Sequence, residues 1–173
     1  VGQAPGKSQI EDRRPSAGRA GRRLFRGLEQ AGLDEPSFRR DVYIAAVTRC
    51  YPGPSPSGRG DRVPSSEEQA RCAPWLEAEL DLIRPALIIP VGRLAIDRFL
   101  ENEPLDRLVG RVHRTHVRGR QGEVIPLPHP SGASRWFNLP ANRALLDQAL
   151  HHLRVAFTRL GVGRSRATTR QTA

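Results

Sequence analysis

The chain lacks the features of a membrane protein and of a disulfide-rich secreted protein. Its 173 residues contain no apolar run long enough to cross a bilayer, and its first residues lack the basic-then-apolar pattern of a secretion signal. Its two cysteines, Cys50 and Cys72, fit metal ligands or packed core residues better than a disulfide. These absences predict a soluble, cytoplasmic protein with one sizeable core.

Lysine is nearly absent as well, because Lys7 is the only one and the other basic residues are arginines. The net charge nevertheless reaches +10. Arginines gathered on one surface gain affinity for a polyanion by releasing the counterions of its phosphates. The charge therefore favours nucleic acid as the partner, although a compositionally biased genome would give the same arginine content by itself.

Short apolar segments alternate with helical patterns along the chain. Residues 42–47 and 86–90 are typical of buried strands, and a weakly determined stretch at 108–122 indicates a hairpin that feeds a strand at Val124. Residues 1–6 resemble the end of a strand followed by a turn, so the N-terminal strand is expected to be truncated. The alternation predicts a three-layer α/β/α sandwich around a mostly parallel, four-stranded sheet.

Four helices are indicated by apolar residues at helical spacing. The first ends at Gly32, and the second begins at Ser65, which forms a capping-box pattern with Glu68. The third follows Gly92 and the last begins at Pro140. We expect residues 1–160 to form one domain and the polar, basic residues 161–173 to be a disordered tail.

The loop after the last strand has a distinctive pattern. Pro130 restricts the backbone of His129 to extended or turn conformations, and small residues follow as far as Ser134. Arg135 and Trp136 then place a cation and an aromatic face on the far side, where they can bind phosphate and stack on a base. The alternative is a proline-rich connection with an incidental histidine.

A phosphate-binding loop is a weaker interpretation of the first residues. Gly6, Lys7 and Ser8 match the end of that motif, but the glycine required five residues earlier is replaced by Val1. The buried segment at 86–90 ends in proline, whereas a nucleoside-triphosphatase would end such a strand in an aspartate for magnesium.

These motifs, in their order and spacing, resemble the uracil-DNA glycosylase superfamily, most closely its iron-sulfur family four of bacterial and archaeal enzymes, with family five as a near relative. Gly2-Gln3-Ala4-Pro5-Gly6 resembles the first motif, and Pro15 with Gly18-Arg19-Ala20-Gly21 resembles the segment that covers the base. His129-Pro130-Ser131 resembles the second catalytic motif. The resemblance implies hydrolysis of the N-glycosidic bond of uracil, or of another deaminated base, in DNA as part of base excision repair.

The resemblance also implies a role for each loop. His129 donates a hydrogen bond to the base oxygen, and Gln3 lies where the attacking water is positioned. The residues implied in base binding are Gly2, Ala4, Pro5, Gly6, Gln9, Ser16 and Ala46. The residues implied in DNA binding are Arg19, Ser131, Gly132, Ala133, Ser134, Arg135 and Trp136.

Three residues depart from the family pattern. Gln3 replaces a carboxylate, and an amide orients water but cannot accept its proton at neutral pH. Ser16 stands where the family stacks an aromatic ring on the base, and Ala46 stands where an asparagine reads the base edge. Three alternatives stay open: excision of a base other than uracil, a DNA-binding relative without turnover, and a small-molecule nucleotide-binding domain.

Family four also implies a 4Fe-4S cluster held by four cysteines. Cys50 and Cys72 match the two later ligands, and the other two are expected upstream of this chain. We therefore expect the cluster in the full-length protein and not in this fragment, with two packed cysteines and no metal as the alternative. The expected assembly state is a monomer.

Overall fold

The computed structural model describes residues 1–58, 60–131 and 135–163, with Arg135 described by its backbone alone. The chain folds as a mixed α/β structure in which a small sheet is accompanied by several helices. The helices of this described part are α1 (Lys7–Glu11), α2 (Gly18–Gln30), α3 (Glu35–Asp41), α4 (Ser66–Ile83), α5 (Arg93–Ile96), α6 (Leu105–Leu108) and α7 (Pro140–Leu160). The strands are β1 (Leu87–Ile88), β2 (His113–Val117) and β3 (Arg120–Val124), and a 3-10 turn covers Arg135–Asn138.

The three strands form a sheet in the order β1-β3-β2. β1 is parallel to β3, whereas β2 and β3 form an antiparallel hairpin. The hairpin turn places Arg118 at φ 52° and Gly119 at φ 75°. Two successive residues with positive φ give the turn a twist that matches the strands, so the hairpin predicted between residues 108 and 122 is confirmed.

Backbone pairing continues beyond the named strands. Val1 donates to Ile89 and accepts from Val91, both at 2.9 Å, so residues 1–3 run beside 89–91. On the other side Gly2 donates to Ala45 at 2.8 Å and accepts from Val47 at 3.0 Å. Residues 1–3 thus lie between two parallel neighbours, although each pairing is too short to form a strand. The described residues therefore hold three strands where four were expected.

The prediction that residues 42–47 form a fully buried strand is wrong. Tyr43 is 58% exposed, and the segment pairs through a single parallel bridge between Ala46 and Gly2. Tyr43 turns towards α4, where a hydrogen bond to Glu79, together with burial, raises the pKa of the phenol. Tyrosine has a polar hydroxyl on an apolar ring, so it is found at the surface as well as in the core. The apolar pattern of residues 42–47 therefore does not reveal that Tyr43 is exposed.

The core lies between α2, α7 and the sheet. Phe25 and Leu28 of α2 and Leu153 of α7 are almost fully buried against Ile125, which follows β3. The ring of Phe25 also meets that of Phe38 edge-on, with centroids 5.6 Å apart.

The predicted capping box opens α4, because Ser65 Oγ accepts from the Glu68 amide at 3.2 Å and Glu68 Oε2 accepts from the Ser65 amide at 2.7 Å. None of the described helices is both long and apolar enough to cross a membrane.

Two glycines of α2 have opposite surroundings. A Cβ atom at Gly21 would lie 1.6 Å from the carbonyl oxygen of Ser16, whereas one at Gly27 would meet Leu150 at an ordinary 3.9 Å. The loop before α2 can therefore fold over the helix only where Gly21 leaves room.

We expect Gly21→Ala to destabilise the protein by about 1–3 kcal/mol, because the loop backbone must move away from the new methyl group. Gly27→Ala, the matched control on the same helix, should instead stabilise it by roughly 0.5–1 kcal/mol, because alanine loses less backbone entropy in a helix. Urea unfolding measures both changes. Equal stability of the two variants would contradict the close approach at Gly21.

Candidate functional site

Three loops meet at one edge of the sheet because the segments before them run parallel. Val91 donates to the carbonyl of Val1 at 2.9 Å, and Gly92 donates to the carbonyl of Leu127 at the same distance. The chain leaves this edge through Gln3, Gly92 and His129 in three neighbouring segments. In open α/β sheets the edge at the carboxyl ends of parallel strands is where ligands bind.

His129 is held in one tautomer by its own loop. Its Nδ1 accepts a hydrogen bond from the Ser131 amide at 3.2 Å, so in the neutral ring Nε2 carries the proton. The ring keeps an exposed side, yet the part packed on the protein loses water, and this burial lowers the pKa of His129 below 6.5. A lowered pKa disfavours the imidazolium, so the ring is neutral at pH 7 and offers Nε2–H as a donor.

Gly92 supplies the surface on which His129 packs. Its φ of +86° favours glycine, and a Cβ atom there would lie 3.1 Å from His129 Cδ2 and 3.2 Å from His129 Cβ. Both the backbone conformation and the contact therefore require a residue without a side chain. The sequence marks Gly92 only as the start of a helix, because its contact with His129 joins residues that are far apart in the chain.

Gln3 lies under the long loop of residues 51–64. Its side-chain Nε2 donates to the Arg62 carbonyl at 3.5 Å, and its backbone carbonyl accepts from the Thr48 amide at 3.1 Å. The Arg62 guanidinium forms two hydrogen bonds, of 2.7 and 2.6 Å, with Glu68 at the start of α4. The pKa of Glu68 falls to about 2, mainly through Arg62 and then through the Ser65 amide. The predicted surface loop is thus tied to a helix and to the first motif.

Most of the residues implied in base binding belong to one compact turn. Gln9 Oε1 accepts from the Ser16 amide at 2.7 Å, which joins the first motif to the loop before α2. Ser16 itself has a φ of 57°, an uncommon left-handed conformation for serine. Ala46 pairs with Gly2, and Ala4 and Pro5 are half-buried between them and Gly6. The structure therefore groups Gly2 to Gly6 with Gln9, Ser16 and Ala46.

The loop after His129 is described only in part. Gly132, Ala133, Ser134 and the side chain of Arg135 lie outside the described residues, as do residues 164–173 of the predicted tail. Trp136 packs against the core, and its carbonyl accepts from Asn142 Nδ2 at 2.8 Å. This packing anchors the far end of the loop, and DNA contact by Trp136 stays a prediction.

A stripe of arginines on α2 forms a basic surface. Of its residues, only Arg19 was predicted from the sequence to bind DNA. The stripe consists of Arg19, Arg22, Arg23 and Arg26, which are all exposed. Their spacing places them on one helix face, about 10 Å long, opposite the buried side. None of the four forms an ion pair with a described residue. Arg23 lines a cleft of about 400 Å³ together with Pro130 and Ser131, so the stripe adjoins the His129 loop.

The two cysteines do not form a disulfide, and Cys50 is exposed while Cys72 is half-buried. Among the described residues, no three histidine, cysteine or acidic side chains come together as a metal site. A 4Fe-4S cluster needs four ligands. The donors present in this chain therefore do not fit such a cluster.

Comparison with known proteins agrees with the geometry. The family model of the uracil DNA glycosylase superfamily matches residues 1–154. A type-4 uracil-DNA glycosylase of Thermotoga maritima is 34% identical over 137 residues, which cover 76% of this chain and 62% of the relative. The type-4 enzyme of Archaeoglobus fulgidus is also 34% identical, over 76% of this chain and 63% of its own. A type-5 uracil-DNA glycosylase of Pyrobaculum aerophilum is 32% identical over 42% of this chain and 33% of its own. The chain thus spans a little under two thirds of the length of the type-4 relatives it matches.

We expect Gly92→Ala to displace the His129 ring into solvent and to move its pKa back towards 6.5, because the burial that lowers it is lost. Gly32→Ala is the matched control, since Gly32 has a similar φ of +84° with nothing within 4 Å of the added Cβ. Both variants carry the same backbone strain, so only Gly92→Ala should shift the titration of His129. An NMR pH titration measures it, and identical His129 curves in the two variants would refute the contact.

Proposed function

The chain belongs to the uracil DNA glycosylase superfamily, and we propose that it hydrolyses the N-glycosidic bond between deoxyribose and uracil, or another deaminated base, in DNA. The observation that carries this proposal is the state of His129. Its Nδ1 is occupied by the Ser131 amide and its pKa is lowered, so a neutral Nε2–H donor stands at the edge of the sheet.

Cleavage of the bond leaves negative charge on the base and positive charge on the sugar. A donor fixed in advance stabilises that negative charge without reorganising during the reaction. His129 meets this requirement because Pro130 restricts its backbone, Gly92 supports its ring and Ser131 sets its tautomer. The target base must first leave the stack, so the following loop, Ser131 to Arg135, is proposed to enter the gap.

The choice of base depends on the compact turn around the first motif. Serine at position 16 offers no aromatic face, and alanine at 46 offers no side-chain amide, while the carbonyl of Ala46 already accepts from Arg49 Nη1 at 3.0 Å. The base edge must therefore be contacted by backbone groups of residues 2–6 and by Gln9. We propose that this less selective pocket admits deaminated bases in addition to uracil.

We propose that the arginine stripe of α2 binds the phosphates of the strand that carries the damaged base. The four guanidinium groups are exposed and lie beside the cleft at Pro130 and Ser131, so DNA at His129 would pass over them. Arginine binds phosphate oxygens with two parallel hydrogen bonds, which favours it for this contact. One copy of the chain carries all of these groups, so we propose a monomer that acts on DNA in the cytoplasm.

We also propose a four-stranded architecture and a cofactor for a longer form of the protein. The parallel pairing of residues 45–48, 1–3, 87–91 and 123–127 supports a four-stranded parallel arrangement between helical layers. Cys50 and Cys72 supply only half of a 4Fe-4S ligand set, so we propose the cluster only for a longer form of the protein that brings two more cysteines. No step of the mechanism passes through it.

The proposed function is tested with His129→Ala on oligonucleotides that carry uracil, hypoxanthine or xanthine. Loss of one preorganised donor typically lowers the rate about 100- to 1,000-fold. Affinity for DNA should change little, because it comes mainly from phosphate contacts. Single-turnover excision and binding to an abasic-site analogue measure the two quantities. DNA binding by the unaltered protein without excision of any of the three bases would favour the DNA-binding relative without turnover.

The arginine stripe is tested by the salt dependence of binding. Arg22→Gln combined with Arg26→Gln should flatten the plot of log affinity against log salt by about 0.9 for each lost phosphate contact on duplex DNA. The control pair, Arg84→Gln with Arg120→Gln, removes the same charge at the opposite edge of the sheet, before β1 and at the start of β3. If both pairs of substitutions flatten the salt dependence equally, the change reflects net charge and the stripe does not contact DNA phosphates specifically.

A further inference from the structure

The first motif contains no group that can take a proton from water. Gln3 carries an amide there, and its Nε2 already donates to the carbonyl of Arg62. Asp61 precedes Arg62 in the chain. It belongs to the loop of residues 51–64 and to none of the motifs identified in the sequence. Asp61 is thus the sequence neighbour of the residue whose carbonyl accepts from the Gln3 amide.

The Asp61 carboxylate lies directly against the turn of the first motif. A Cβ atom at Gly6 would be 2.8 Å from Asp61 Oδ2 and 3.6 Å from Gln9 Nε2. Gly6 and Gln9 are both in the compact turn proposed to bind the base, and Gln3 lies three residues before Gly6. The carboxylate therefore lies beside the turn that follows Gln3, and the Gln3 amide contacts the same loop at Arg62.

Several contacts hold Asp61 in this place. The loop folds back on itself through a bridge between Pro54 and Asp61 and a hydrogen bond of 3.0 Å from the Arg62 amide to Gly53. Arg62 anchors its end to Glu68 of α4. The phenol of Tyr51 adjoins the carboxylate, and its pKa is raised by burial and by a hydrogen bond to Asp61. The carboxylate itself stays exposed, so a water molecule can reach it.

We propose that Asp61 is the catalytic carboxylate that activates water in this chain, a step that rests on the proposed glycosylase function. Gln3 orients the water, and an Asp61 oxygen accepts its proton as the water oxygen forms a bond to C1′ of the deoxyribose. The bond from C1′ to the base nitrogen breaks, and its electron pair leaves with the base. His129 Nε2–H stabilises the base oxygen, and the base anion is later protonated from solvent.

The first test is Asp61→Asn, which keeps the size of the side chain and an oxygen for Tyr51. A general base typically contributes roughly 100- to 10,000-fold, so single-turnover excision should fall at least about 100-fold. The matched control is Asp147→Asn, an exposed aspartate on α7 outside the site, which should keep the full rate. Unchanged excision by Asp61→Asn would overturn the proposal, and thermal unfolding of both variants shows that each is folded.

The second test separates this proposal from the proposed function, because it needs no turnover. DNA with a cationic pyrrolidine in place of the deoxyribose mimics the charge that develops on the sugar, and tetrahydrofuran is its neutral counterpart. The preference for the cationic form should fall about tenfold in Asp61→Asn, the effect of one charge-assisted hydrogen bond. An unchanged preference would overturn the role of Asp61 even in an active enzyme. If the unaltered protein excises no base but Asp61→Asn still loses the preference for the cationic analogue, the glycosylase function is refuted and the place of Asp61 at the sugar is kept.

Discussion

The parallel hydrogen bonds from Val91 to Val1 and from Gly92 to Leu127 hold the candidate site together. Each joins segments that are far apart in the sequence and aligns their carboxyl ends, so the loops that follow start side by side. The positions of Gln3, Gly92 and His129 therefore depend on where these segments end. A buried amide or carbonyl left without a partner costs free energy comparable to a lost hydrogen bond, which keeps this register in place.

Two sets of arginines have different physical roles. Arg62 and Arg118 pair with carboxylates of α4 and so fix the long loop and the hairpin turn, respectively. Exposed pairs of this kind contribute little to stability, but they decide where a loop lies. The arginines of the α2 stripe have no such partner among the described residues and keep their charge available for a polyanion. The excess of arginine thus serves both loop placement and the proposed DNA contact.

Local signals predicted four of the seven described helices and missed the short helices α1, α3 and α6. Long-range contacts explain the other features that the sequence did not reveal. Ser65 with Glu68 marked the start of α4, and Gly32 marked the end of α2, because capping depends on a few adjacent residues. The exposed segment at Tyr43 could not be foreseen, because its partner Glu79 is 36 residues away on another helix. The support of His129 by Gly92 was missed for the same reason.

The position of Asp61 shows why a missing motif residue does not by itself decide activity. A general base acts from a point in space, and the sequence position that supplies it is free to change. A loop between residues 51 and 64 that folds back and is tied to Glu68 can reach the turn at Gly6, whereas a short connection could not. In the proposed mechanism the loop of residues 51–64 therefore supplies the carboxylate that glutamine at position 3 does not.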